Sequence, residues 1–64
     1  MSRDIYKIDI AKHGGPHVDR YRKGSNIGRY RLDGSPIPHN GVTPAPIPNA
    51  DLERFEKEAA KGRE

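Results

Sequence analysis

Five prolines in the fourteen residues SPIPHNGVTPAPIP (35–48) constrain this 64-residue chain more than any other feature. Proline fixes φ and offers no backbone N–H, so this stretch fits neither a helix nor a central strand. It favours extended, polyproline-like chain that wraps over something else. Most of the seven glycines also lie between residues 14 and 48, in turn-like settings. Regular structure is therefore expected as short strands before residue 35 and as a helix only at the C-terminal end.

Little apolar material is available to hold such a fold. Leu, Ile, Val and Phe together supply eleven residues, and no apolar run exceeds two. A chain this short buries only about 60% of the surface its unfolded form exposes. It is expected to form one small domain, 1–64. Without cysteine it can hold neither a disulfide nor a thiolate zinc site. No segment can cross a membrane as a helix or act as the apolar part of a signal peptide. Length excludes an ATP-driven or cofactor-dependent enzyme, and no cofactor is expected.

Alternation of side chains gives the elements. In DIYKIDI (4–10), Tyr6, Ile8 and Ile10 share one face and Ile5, Lys7 and Asp9 the other. Gly14-Gly15-Pro16 interrupts the pattern. HVDRYR (17–22) resumes it, with His17, Asp19 and Tyr21 opposite Val18, Arg20 and Arg22. Lys23-Gly24-Ser25-Asn26 reads as a hairpin turn, IGRYRL (27–32) as the next strand and Asp33-Gly34 as another turn. Residues 4–34 thus form an antiparallel meander of three to four strands. Residues 35–48 wrap past it, with Ile37, Val42 and Ile47 tucking against the sheet. Asn49 or Asp51 caps a helix over 49–62, with Gly62 as its stop. That helix carries an apolar stripe of Leu52, Phe55 and Ala59 and a Glu53–Lys57 pair. The fold class is mainly β: a small, highly twisted antiparallel sheet with a proline-rich wrap and a short C-terminal helix.

Charge points to a partner. Residues 1–48 carry eight basic and four acidic groups, and the last sixteen carry four and five. Between Asp19 and Asp33, Arg20, Arg22, Lys23, Arg29 and Arg31 stand without a carboxylate, interleaved with Tyr21 and Tyr30. Such a patch suits an RNA backbone, with the tyrosines either stacking on bases or serving as core and cross-strand partners. Just before it come Asp9, His13, His17 and Asp19. A carboxylate or imidazole base, an imidazolium acid and an arginine are what RNA cleavage without a metal requires. Histidine suits the task because its ordinary pKa, about 6.5, lets both forms exist near neutrality. His17 and Asp19 lie on one strand face, within reach of one phosphate. His13 and His17 have the spacing of a helical zinc pair, but the intervening Gly-Gly-Pro forbids that helix, so no metal site is expected. His39 reads as an exposed loop residue and Asp33 as a turn residue.

The stretch IYKIDIAKHGGPHVDRYRKGSNIGRYRLDG resembles the cloacin-type colicin ribonuclease domain and related C-terminal nuclease modules of polymorphic bacterial toxins. Tyr6 and Asp9 match the family's early strand. Asp19 precedes Tyr21-Arg22 at the family's interval, Ile27-Gly28 with Tyr30 approaches its strand step, and Asp33-Gly34 resembles its turn. Either His13 or His17 takes the position of the family's histidine. Asp19 stands where the family typically has Glu, and Arg54 is a loose counterpart of its C-terminal arginine. The resemblance covers residues 5–34.

The resemblance implies a metal-independent endoribonuclease toxin acting on ribosomal RNA, or on tRNA. It also implies an acidic immunity protein as partner, and secretion or delivery as part of a larger toxin that acts in the target-cell cytoplasm. The chain would then be the killing end of that toxin or a short cargo product. The expected catalytic set is His17, Asp19, Asp9, His13 and Arg31. Arg20, Arg22, Lys23, Arg29, Tyr21 and Tyr30 are the expected RNA contacts. The alternatives are a non-catalytic RNA- or ribosome-binding module using the same patch, and a segment ordered only with a partner.

Overall fold

The computed structural model describes residues 3–10 and 14–64. Three strands, β1 (Ile5–Asp9), β2 (His17–Arg22) and β3 (Ser25–Tyr30), form an antiparallel sheet in the order β1-β2-β3. A 3-10 turn, Asn49–Asp51, leads into the single helix α1, Leu52–Arg63. The architecture is the small, mainly β fold expected from the sequence. No helix among the described residues is long and apolar enough to cross a membrane.

Alternation along each strand gives the sheet two unlike faces. Tyr6 stands opposite Arg20 and Ile8 opposite Val18 across β1 and β2, while Val18 also faces Tyr30 on β3. These side chains point to one layer, which α1 covers with Phe55 and Ala59. Phe55 meets Tyr6 and Tyr30 edge-on at centroid distances of 6.0 and 6.4 Å, the geometry the ring quadrupoles favour. The second face carries Asp9, His17, Asp19 and Arg29, and no helix packs over it.

The β2–β3 turn is shorter than expected. Lys23 (φ 51°) and Gly24 (φ 81°) both take positive φ, the signature of a two-residue type I′ hairpin. β3 therefore begins at Ser25 rather than Ile27 and ends at Tyr30 rather than Leu32. Ile27 bulges out where the register shifts between Arg20 and Tyr21. Instead of a full fourth strand, Pro36 bridges Tyr30 and the Ile37 N–H donates to the Arg29 carbonyl at 2.8 Å.

The wrap is tied down by the Tyr30 hydroxyl, which donates to the Ala45 carbonyl, and by Pro44 lying against Gly28. Ile47 packs on the core and Ile37 is partly buried, but Val42 is 68% exposed rather than tucked in. Its neighbours Asn40 and Gly41 both take positive φ, in a tight turn closed by paired hydrogen bonds between His39 and Val42, which holds it off the sheet.

The helix end also departs from expectation. Gly62 does not stop α1, which runs through it to Arg63. A Cβ there would lie 2.9 Å from Ile8 Cδ1 and 3.0 Å from Leu32 Cδ2, so this glycine permits close packing of helix on sheet. At the other end the Asp51 carboxylate caps nothing. It accepts from the Tyr6 hydroxyl and from Arg54, both at 2.7 Å. Leu52 is the exposed end of the apolar stripe. The helix carries the ion pairs Glu58–Lys61 and Glu56–Arg63 in place of the expected Glu53–Lys57.

Candidate acid–base site on the open sheet face

Cross-strand register assembles the site. Asp9, the last residue of β1, is paired with His17, the first of β2, and Asp19 is paired with Arg29 of β3. His17 and Asp19, two apart on β2, point the same way. His17 Nε2 lies 3.3 Å from Asp9 Oδ2 and 3.4 Å from Asp19 Oδ1, yet neither carboxylate is aligned with it as a hydrogen-bond partner. Arg29 Nε donates to Asp19 Oδ1 at 3.2 Å.

Burial divides the roles these groups can play. The His17 and Asp19 side chains are only 10% and 8% exposed, whereas those of Asp9 and Arg29 are each 52% exposed. A buried imidazole and carboxylate therefore stand behind a half-exposed carboxylate and a half-exposed guanidinium. The cluster borders a cleft of about 540 Å³, walled by Gly14, Gly15 and Pro16 on one side and by Arg29, Arg31 and Ile37 on the other. Gly14 and Gly15, both at positive φ, let the chain turn tightly at the entrance to β2. Arg31 reaches this cleft from just past β3, braced by its bonds to Ser35 Oγ and the Pro36 carbonyl.

Of the residues expected to act, Asp9, His17 and Asp19 come together, with Arg29 and Arg31 beside them. His13 lies outside the described residues, as do Ala11 and Lys12. Two expected RNA contacts are corrected. Arg20 is only 4% exposed and points into the core, where its guanidinium contacts Asp4 Oδ2 at 2.7 and 2.8 Å and the Tyr30 hydroxyl at 3.3 Å. Tyr30 is fully buried under Phe55 and stacks on no base. Both belong to the helix-covered face because they share side-chain parity with Val18.

Arg22 also reaches Asp4, through Nε at 2.9 Å and Nη2 at 3.0 Å, although its side chain remains more than half exposed. Lys7 lies over the ring of Tyr21, on the same face as the site. Lys23 is exposed in the β2–β3 turn. Arg54 packs over Tyr6 and bonds the Asp4 carbonyl, at the end of β1 away from Asp9, and takes no part in the cluster.

Asp4 is the residue the sequence reading missed. Its carboxyl is lowered to about 2 by hydrogen bonds from Arg22 and then Arg20. A buried arginine needs a carboxylate, and Val18-Asp19-Arg20 already placed Arg20 beside an obligatory core residue; that parity was the available signal. Glu58 was missed as well. It accepts the Ile8 N–H at 3.0 Å and so closes the outer edge of β1. Burial first, and then its bond to Asp51, raises the Tyr6 hydroxyl above its ordinary range, while Asp51 is lowered, chiefly by that same bond. No protein-family model, no curated protein and no solved structure matches this chain.

Proposed function

We propose that the chain is a metal-independent endoribonuclease, the cytotoxic module of a toxin directed at RNA, most naturally ribosomal RNA. The observation that carries this reading is the meeting of Asp9, His17 and Asp19 with Arg29 at a cleft on the uncovered sheet face. Asp9 takes the proton from a ribose 2′-hydroxyl, and that oxygen bonds to the adjacent phosphorus. The bond from phosphorus to the 5′-oxygen breaks, and protonated His17 gives its proton to that oxygen. The products are a 2′,3′-cyclic phosphate and a 5′-hydroxyl.

Seating a phosphate between acid and base requires the Asp9 carboxylate to rotate away from Nε2, which its half-exposed position allows. Asp19 acts as a positioning residue: it accepts from Arg29 Nε and stands 3.4 Å from the imidazole Nε2. Arg29 and Arg31 neutralise charge on the phosphoryl oxygens. A second cleft of about 550 Å³ lies between β3 and the turn at residues 37–44, and shares Arg29 and Ile37 with the first. Its apolar floor of Ile27, Ile37 and Val42 suits a base next to the scissile phosphate. Exposed Arg22 and Lys23, with half-buried Tyr21, would meet the flanking RNA, and an acidic immunity protein would complement the same cations.

Incubation of the chain with intact ribosomes in excess EDTA tests the reading. Discrete cuts ending in cyclic phosphate are expected, and His17→Ala should slow them about 100-fold or more. Intact RNA in the presence of a folded chain would return the basic face to a purely RNA-binding role. Full cleavage by His17→Ala would remove His17 from the mechanism.

A further inference from the structure

The position of His17 is unusual for a buried imidazole. Its Nε2 is shut off from solvent, has no aligned hydrogen-bond partner, and yet faces two carboxylate oxygens at 3.3 and 3.4 Å. Zinc binds histidine nitrogen and carboxylate oxygen at about 2.0–2.1 Å, so two ligands of a tetrahedral ion lie about 3.4 Å apart. The two separations are thus those of ligands sharing a metal. The three donor atoms lie within 4.8 Å of one another, so rotation of the exposed Asp9 carboxylate closes the remaining gap.

We propose that Asp9, His17 and Asp19 bind one first-row transition-metal ion, zinc foremost, and that the bound ion shuts off the acid–base chemistry assigned to the same side chains. The inhibitory half rests on the ribonuclease reading; the metal site does not. Three protein donors would leave a fourth position for water. Arg29, bonded to Asp19 Oδ1, orients that carboxylate from outside the ligand set and offsets part of its charge. Calcium needs six to eight oxygens, and magnesium keeps most of its water, so neither suits two carboxylates and an imidazole. Sequence spacing could not reveal this site. Asp9 joins it through strand register alone, and the spacing of His13 and His17 points to a different pair.

Zinc titration of the chelator-stripped full chain, followed by calorimetry, tests the site. One ion per chain is expected, with no saturable heat from magnesium. Asp9→Asn, at a half-exposed position, and His17→Ala should each weaken binding ten-fold or more. His39→Ala, in the turn at residues 39–42, should leave it unchanged. Circular dichroism confirms that each variant is folded, and Asp9→Asn keeps the test decisive if His17→Ala is not. Absence of a saturable isotherm, or wild-type affinity in Asp9→Asn, overturns the site.

Ribosome cleavage with and without zinc tests the rest. Cleavage in EDTA that zinc suppresses in parallel with the isotherm is the expected result. Cleavage indifferent to bound zinc overturns the inhibition alone. A chain that binds zinc but never cuts RNA supports the site while overturning the ribonuclease reading. Cleavage only with zinc overturns both the inhibition and the metal-independent mechanism.

Discussion

Asp4 holds two arginines with one carboxylate, and its surroundings make it the residue through which acid should act on this fold. Its folded pKa, lowered to about 2 by Arg22 and Arg20, lies below the ordinary aspartate value of about 3.9. A carboxyl depressed by folding contributes stability that is complete above its unfolded pKa and lost as pH falls through the folded one. For Asp4 that window runs from about 4 down to about 2. Asp51, Glu56 and Glu58 are lowered too, so they act with the same sign. Asp4→Asn should therefore melt below the wild type at pH 7, because Arg20 stays buried without its counter-charge. The gap should narrow as pH falls below about 4 and nearly close at pH about 2, where half of the native carboxyls are protonated. Melting curves of both proteins at several pH values check this. A gap as wide at pH 2 as at pH 7 would mean that Asp4 acts through shape rather than charge.

Between elements, the most sensitive contact is that of the proline-rich wrap with β3. A Cβ on Gly28 would lie 2.9 Å from Pro44 Cβ and about as close to the Tyr30 ring, two neighbours with little freedom to yield. Gly28→Ala should therefore push the wrap off the sheet and cost about 1–3 kcal/mol, the usual range for overpacking. Thermal or urea unfolding measures the loss, and wild-type stability would mean that the wrap is not held at Pro44. This contact was not legible in the sequence, where Gly28 reads as part of a strand step. Much else was. Alternation placed Tyr6 and Ile8 on one face and separated Val18 from His17 and Asp19, and helical spacing set the stripe that buries Phe55 and Ala59. Alternation does not reveal what a charged residue does on the inner face, so Arg20 was expected among the RNA contacts. Nor does it supply register, which joins Asp9 to His17 and depends on loop and turn geometry. Positive φ at Lys23 shortened one turn, and close packing at Gly62 carried the helix past its expected stop. The first is decided by the geometry of the two-residue turn and the second by tertiary fit.

At the scale of the whole molecule, one aromatic side chain joins the two layers. Phe55 is 2% exposed and touches Tyr6 of β1 and Tyr30 of β3 edge-on, while the helix is only twelve residues long. A helix of that length is marginal alone and persists because it docks. A domain of this size has a total stability of about 3–10 kcal/mol. Replacing a buried phenylalanine by alanine typically costs about 3–5 kcal/mol. Phe55→Ala should thus remove from about a third to all of the stability and uncover the inner face of the sheet. Leu52→Ala, at a position 45% exposed, should cost under about 1 kcal/mol. The two substitutions separate structural from chemical loss of function, since Phe55→Ala should lose amide dispersion and RNA cleavage together. Asp9→Asn, which touches only the open face, should lose cleavage and keep its dispersion. The site stands on strands whose other side is the core, so it can be no more stable than the contact at Phe55. A Phe55→Ala protein that still unfolds cooperatively near the wild-type temperature would show that Tyr6, Tyr30 and the wrap hold the sheet without the helix.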